Sequence, residues 1–126
     1  MNQSKRLYKD IVRCTQTAEL QWRQVDKAAY RTTIRNVDQA SRVFEATWTK
    51  DNCVWTLVLV EKTYLAREHL LFPPTEIRDA KLFIFEGAKL VDLLSGTDLN
   101  HVETSWLSKN IAYAAQKPPA SLVPSD

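Results

Sequence analysis

The stretch NCVWTLVLVEK, Asn52 to Lys62, is apolar at both alternating sets of positions. A strand with one wet side shows polar residues at every second place. This segment is therefore a strand covered on two sides, and the fold turns on what covers each. TKDN, 49–52, is rich in turn formers and reverses the chain into the strand from RVFEATWTK, where Phe44, Ala46 and Trp48 alternate with Val43, Glu45 and Thr47. Because side chains repeat with period two, register is a matter of parity. The favoured register puts Trp55, Leu57 and Leu59 beside Phe44 and leaves Val54, Thr56, Val58 and Val60 on the other side. That grouping gathers the bulky residues into one core and leaves a smaller β-branched strip, which would invite aggregation if exposed.

Downstream, YLAREHLLFPP fits either a helical turn through Leu65, His69 and Phe72 or a bent continuation of the strand, and Pro73 and Pro74 end either one. LFIF and LVDLL flank Glu86-Gly87-Ala88-Lys89 and read as a second hairpin. Phe83 and Phe85 are expected to share a face with Leu90, and Leu82 and Ile84 with Val91 and Leu93. Upstream, Leu20, Trp22 and Gln24, then Tyr30, Thr32 and Ile34 against Arg31, Thr33 and Arg35, again alternate with period two and read as strands. A turn near Asp38 would set Arg31 opposite Glu45.

Helices bracket the sheet. Leu7, Ile11, Cys14 and Ala18 form one stripe of an amphipathic helix that Ser4 is placed to cap. A second helix follows Asn100, with Glu103 three residues later in the positions of a capping box. Its apolar side reads as Leu99, Val102, Trp106, Ile111, Tyr113 and Ala114. Pro118 and Pro119 stop it, and PPASLVPSD, 118–126, has the composition of a disordered tail. The expectation is one α+β domain over residues 1–117: an antiparallel sheet of about five or six strands with an N-terminal and a C-terminal helix. Either one helix covers each sheet face, or both lie on one face and the other meets a second copy. About 70 sheet residues outnumber what two helices of about 17 can hide, which points to a homodimer.

The 126 residues suit one domain, and no apolar run approaches the roughly 18 residues that span a bilayer. MNQSKRLYKDIVRC is polar where a secretory signal is apolar, so a cytoplasmic location is expected. Cys14 and Cys53, far apart and without metal-ligand spacing, read as reduced core residues. The net charge of +2 hides an uneven distribution. Residues 1–50 hold ten Lys or Arg against five acids, and 51–126 hold seven against ten. Such a split suits an anionic partner, head-to-tail association, or simply a solvated surface.

TAELQW closing an N-terminal helix, then a strand meander, an acidic-Gly turn and a C-terminal helix resembles small uncharacterised bacterial proteins, some of which accompany mobile or defence-related genes. The likeness covers residues 7–116 and rests on Leu20, Trp22, Tyr30, Gly87 and Leu90. It implies an α+β domain and brings no activity with it. The segment Tyr64 to Ala80 departs from it and is the expected place of any specific function added to that plan.

No phosphate-binding Gly-rich loop, His-Glu-x-x-His or Gly-x-Ser-x-Gly is present, and with Gly87 and Gly96 the only glycines, tight backbone cradles are scarce. Glu68 with His69, and His101 with Glu103, are the sole acid–base neighbours, and adjacent residues rarely point the same way. No cofactor or metal is expected, and no membrane partner. The reading is therefore a binding protein without catalysis. The first form is a protein-interaction or self-assembling module whose partner meets the Val58 and Val60 face or the 64–80 segment. The second binds single-stranded nucleic acid through Arg23, Arg31 and Arg35, a basic row on an outer sheet face. The third binds a small molecule between sheet and helix, among Trp48, Trp55 and Trp106.

Overall fold

The computed structural model describes residues 3–67, 70–71, 73–95 and 99–116. Helix α1 (Gln3–Gln16) leads through β1 (Arg23–Val25) and a segment with two 3-10 turns (Lys27–Tyr30 and Val37–Gln39) into β2 (Arg42–Lys50), β3 (Cys53–Ala66), β4 (Thr75–Glu86) and β5 (Lys89–Leu94). Helix α2 (His101–Gln116) closes the chain. The five strands form one antiparallel meander in the order β1-β2-β3-β4-β5, so the α+β architecture stands. Glu68, His69, Phe72, Gly96 and the 118–126 tail lie outside the described residues.

The register follows the parity argument. Phe44 pairs with Leu59, Ala46 with Leu57 and Trp48 with Trp55. Asp51 and Asn52 make the two-residue turn with φ of 53° and 65°, the doubly left-handed conformation that matches strand twist and that Asp and Asn tolerate. Gly87, at φ +61°, serves the β4–β5 turn in the same way. A bulge between Ile84 and Phe85 changes the last hairpin: Phe83 pairs with Leu93 and Leu82 with Leu94. Leu93 therefore joins Phe83 and not, as the unbulged pattern predicts, Leu82 and Ile84, because one extra residue reverses the alternation beyond it.

Both helices pack on the same face. Tyr8, Ile11 and Cys14 of α1 and Leu107, Ile111 and Ala112 of α2 meet Phe44, Ala46, Trp48, Leu57, Leu59, Leu82, Ile84 and Leu94. The Trp22 indole donates to Thr15 Oγ1 at 2.9 Å, tying the end of the helical connection to α1. Helix α1 ends at Gln16, before Ala18, which takes the left-handed conformation at φ 65°. Ser4 lies within α1 instead of preceding it. In α2 the capping box forms as expected: Glu103 N–H donates to Asn100 Oδ1 at 2.8 Å, and Asn100 N–H to Glu103 Oε1 at 2.9 Å. Its buried side, however, is Thr104, Leu107, Ser108, Ile111 and Ala112, while Val102, Trp106 and Tyr113 are exposed. Small polar residues let α2 lie close to the sheet, and hydrophobicity alone misplaces the contact face.

The second face has a different cover. Residues 26–41 do not form strands; they cross that face as a strap, burying Ile34, Val37 and Ala40 against Val43, Val58 and Phe85. Of the three, Val37 sits in the second 3-10 turn, with Ile34 before it and Ala40 at its end in irregular chain. Asp26 Oδ1 accepts from Ala28 N–H at 2.9 Å and starts the first turn, and Asn36 in the left-handed region redirects the chain into the second. Lys27 Nζ donates to the carbonyls of Asp38 (2.8 Å) and Ala40 (3.1 Å), binding one end of the strap to the other. The alternation of Tyr30 to Arg35 is thus accidental: it is too short to outweigh these local bonds.

Candidate functional site

Past the cover of the helices, β3 and β4 continue together as a two-stranded arm, with Tyr64 paired to Ile77, Leu65 to Glu76 and Ala66 to Thr75. Among the described residues the ladder to β5 involves only Leu82 to Glu86, and residues 75–81 of β4 pair with β3 alone. Strand parity puts Leu65 on the helix side and Tyr64 on the strap side. The arm carries large exposed apolar side chains: Leu65 is 69% exposed, and Leu70 and Leu71, in its connection, are 86% and 84%.

The root of the arm is held by charge. Glu61 shares the parity of Leu57 and Leu59, pointing its carboxylate into the helix-covered core, where it is 1% exposed. Arg42 on β2 approaches it in a bidentate fork, Nε at 2.7 Å from Oε1 and Nη2 at 3.0 Å from Oε2. Arg78 on β4 adds a second guanidinium, Nε at 3.7 Å, and Ser108 on α2 donates its hydroxyl to Oε2. Burial pushes the Glu61 carboxyl up. Hydrogen bonds from Arg42 and Ser108, with the positive charge of Arg42 and Arg78, outweigh this and hold it below the ordinary carboxylate range. One acid thus joins three strands and a helix at the point where the arm leaves the body. Ser41 continues the fastening along the strand, its N–H donating to the Glu61 carbonyl at 2.8 Å and its Oγ accepting from Thr63 N–H at 2.9 Å. The signal was in the sequence: an acid in an apolar run, at a core-parity position.

The residues expected to form sites are dispersed. Val58 is 0% exposed beneath the strap and Val60 is partly buried, so this strip is occupied from within the chain instead of being open to a partner. Arg31 is not opposite Glu45; its Nε meets Asp38 Oδ1 at 3.1 Å inside the strap. Arg23 takes the place opposite Glu45, at 2.6 and 3.1 Å, and the Tyr30 hydroxyl donates to the same carboxylate. The hydrogen bond from Tyr30 outweighs burial and, with Arg23, holds Glu45 below the ordinary range. Arg23, Arg31 and Arg35 therefore form no row on a strand, and two of the three have carboxylate partners.

The tryptophans do not share a cavity. Trp48 and Trp55 meet edge to face at 6.0 Å between ring centroids, whereas Trp106 is half exposed on α2. There it flanks a groove of about 390 Å3 with Tyr8, Val102 and Lys109. Cys14 is buried, and burial above all pushes its thiol up to about 11, which leaves it unreactive; Cys53 is exposed at the start of β3 instead of lying in the core. Among the described residues no His, Cys, Asp and Glu side chains group as a metal site, and no helix is long and apolar enough to cross a membrane. Comparison with protein-family models, with curated proteins and with solved structures found no match.

Proposed function

We propose that the chain is a non-enzymatic interaction module that assembles with a second copy of itself through the β3–β4 arm. The observation that carries this is an arm fixed at its root by a buried ion cluster, with an open strand edge and exposed Tyr64, Leu65, Leu70 and Leu71 beyond it. An unpaired edge beside apolar side chains is a template for another strand, and rigidity at the root lowers the entropy lost when one docks.

Charge favours a second copy as the occupant. Two β4 edges related by a twofold axis must pair antiparallel with one residue opposite itself. Centring the pair on Ile77 sets Glu76 opposite Arg78 of the other copy, and this happens twice. These pairs add to the contacts that Arg78 makes within its own chain, with Glu61 at 3.7 Å and Glu76 at 3.9 Å. Opposite charges directly across strands are favourable.

Light scattering after size-exclusion chromatography tests the reading. The wild type is expected at twice the 14.5 kDa chain mass. Glu76→Lys, at a side chain that is 61% exposed, replaces both attractive pairs with repulsive ones and should give the single-chain mass with an unchanged circular dichroism spectrum. A wild type that stays at the single-chain mass at every concentration, or a dimer indifferent to Glu76→Lys, overturns it.

A further inference from the structure

Most cations of this protein are already engaged. Arg23 meets Glu45, Arg31 meets Asp38, Arg42 and Arg78 meet Glu61, Lys50 meets Asp10, Lys5 meets Glu103, and Lys27 is spent on carbonyls. Of those with no hydrogen bond or ion pair among the described residues, three converge. Arg35 from the strap, Lys62 from β3 and Lys81 from β4 line one depression of about 230 Å3, where the strap crosses the second sheet face. Each is exposed, and none makes a hydrogen bond or ion pair among the described residues. The ladder puts Lys81 opposite Val60 and Lys62 opposite Asp79, so the two lysines are diagonal neighbours on one face, about 7–8 Å apart along the backbone. Arg35 closes the ring from above.

We infer that this depression is a binding site for a small phosphomonoester. The charge count fits: three cations against the single acid Asp79 leave +2, which complements a phosphate monoester of about −1.5 to −2 at neutral pH. Asp79, whose Oδ1 accepts from Ala80 N–H at 3.0 Å, makes no ion pair with either lysine among the described residues. A guanidinium offers a phosphate two parallel N–H donors, and ammonium groups add point charge. The floor is apolar, with half-buried Val60 and Phe83, and suits a small organic body on the phosphate. The volume lies below that of pockets for drug-sized ligands, so a compact ligand is selected. A nucleic-acid strand needs cations in a track, and here the neighbouring ones are spent on internal partners. The site lies within one chain and does not depend on the arm's association.

The test is calorimetric titration of the full chain with inorganic phosphate, phenyl phosphate and a thymidine oligonucleotide. Phenyl phosphate should bind more tightly than inorganic phosphate, because only it covers Val60 and Phe83, and both should weaken as salt is raised. The Lys62→Gln/Lys81→Gln variant, altered at two exposed positions, should lose about tenfold in affinity for each cation removed. Lys109→Gln, on α2, should change nothing. Undiminished binding by the double variant, no binding of either phosphate, or oligonucleotide binding that strengthens steadily with length would each overturn the assignment.

Discussion

The two faces of the sheet are closed in different ways. The helix side is covered by α1 and α2, whose backbone bonds are internal to each helix, and a single apolar cluster runs from Tyr8 to Ala112. The strap side is covered by sixteen residues of irregular chain, whose bonds are short-range, such as Ile34 N–H to Tyr30 O at 2.8 Å and Ala40 N–H to Val37 O at 2.9 Å. It buries six residues: Ile34, Val37, Ala40, Val43, Val58 and Phe85. Helices bring cooperative structure to a core; a strap must be held down by the few side chains that it buries. The difference predicts a stable layer and a more readily opened one.

Core truncation should give the largest effects and separate the faces. Leu57→Ala, on the helix side and 0% exposed, is expected to cost about 3–4 kcal/mol in urea unfolding, and Val37→Ala in the strap about 1–2 kcal/mol. Hydrogen exchange should show strap amides opening well below the free energy that protects β3; equal protection would break the distinction.

Next comes the polar end of the helix-side core. Glu61→Gln keeps the shape but leaves Arg42 and Arg78 without their charge partner, at a cost of about 2–3 kcal/mol. The sign of its pH dependence is fixed. Glu61 titrates below its ordinary value of 4.5 when folded, so its contribution is complete above pH 4.5 and is lost as pH falls through the folded value. The wild-type margin over Glu61→Gln should therefore shrink on acidification below pH 4.5. A margin that is flat or grows there contradicts the buried carboxylate.

The smallest effect has the opposite sign. Ala18 holds φ 65° and is exposed just beyond α1, where an L side chain is strained and glycine is not. Ala18→Gly should stabilise the protein by about 0.5–1 kcal/mol at the thermal midpoint, since relief of strain exceeds the added freedom of the unfolded chain. The protection of strap amides against local opening should stay unchanged, because α1 lies on the other face.

What could be read in advance depended on how local the cause was. The apolar strand 52–62, the Asp51-Asn52 and Gly87 turns, and the Asn100–Glu103 capping box follow from neighbours along the chain, and the structure contains each of them. The strap was read as strands because six residues happened to alternate. The burial face of α2 was misread because Thr104 and Ser108 are polar, and their burial makes sense only with the sheet and Glu61 opposite.

By itself the sequence determined the α+β class, the parity of the central strands and two terminal helices, since period, turn chemistry and capping act over a few residues. Only the tertiary structure decided that both helices share one face, that the 26–41 segment covers the other, and that Arg42, Glu61, Arg78 and Ser108 meet at one point. The meeting at Glu61 alone joins residues 17 to 47 positions away from it. Such meetings are set by which surfaces bury together, and no local periodicity records them.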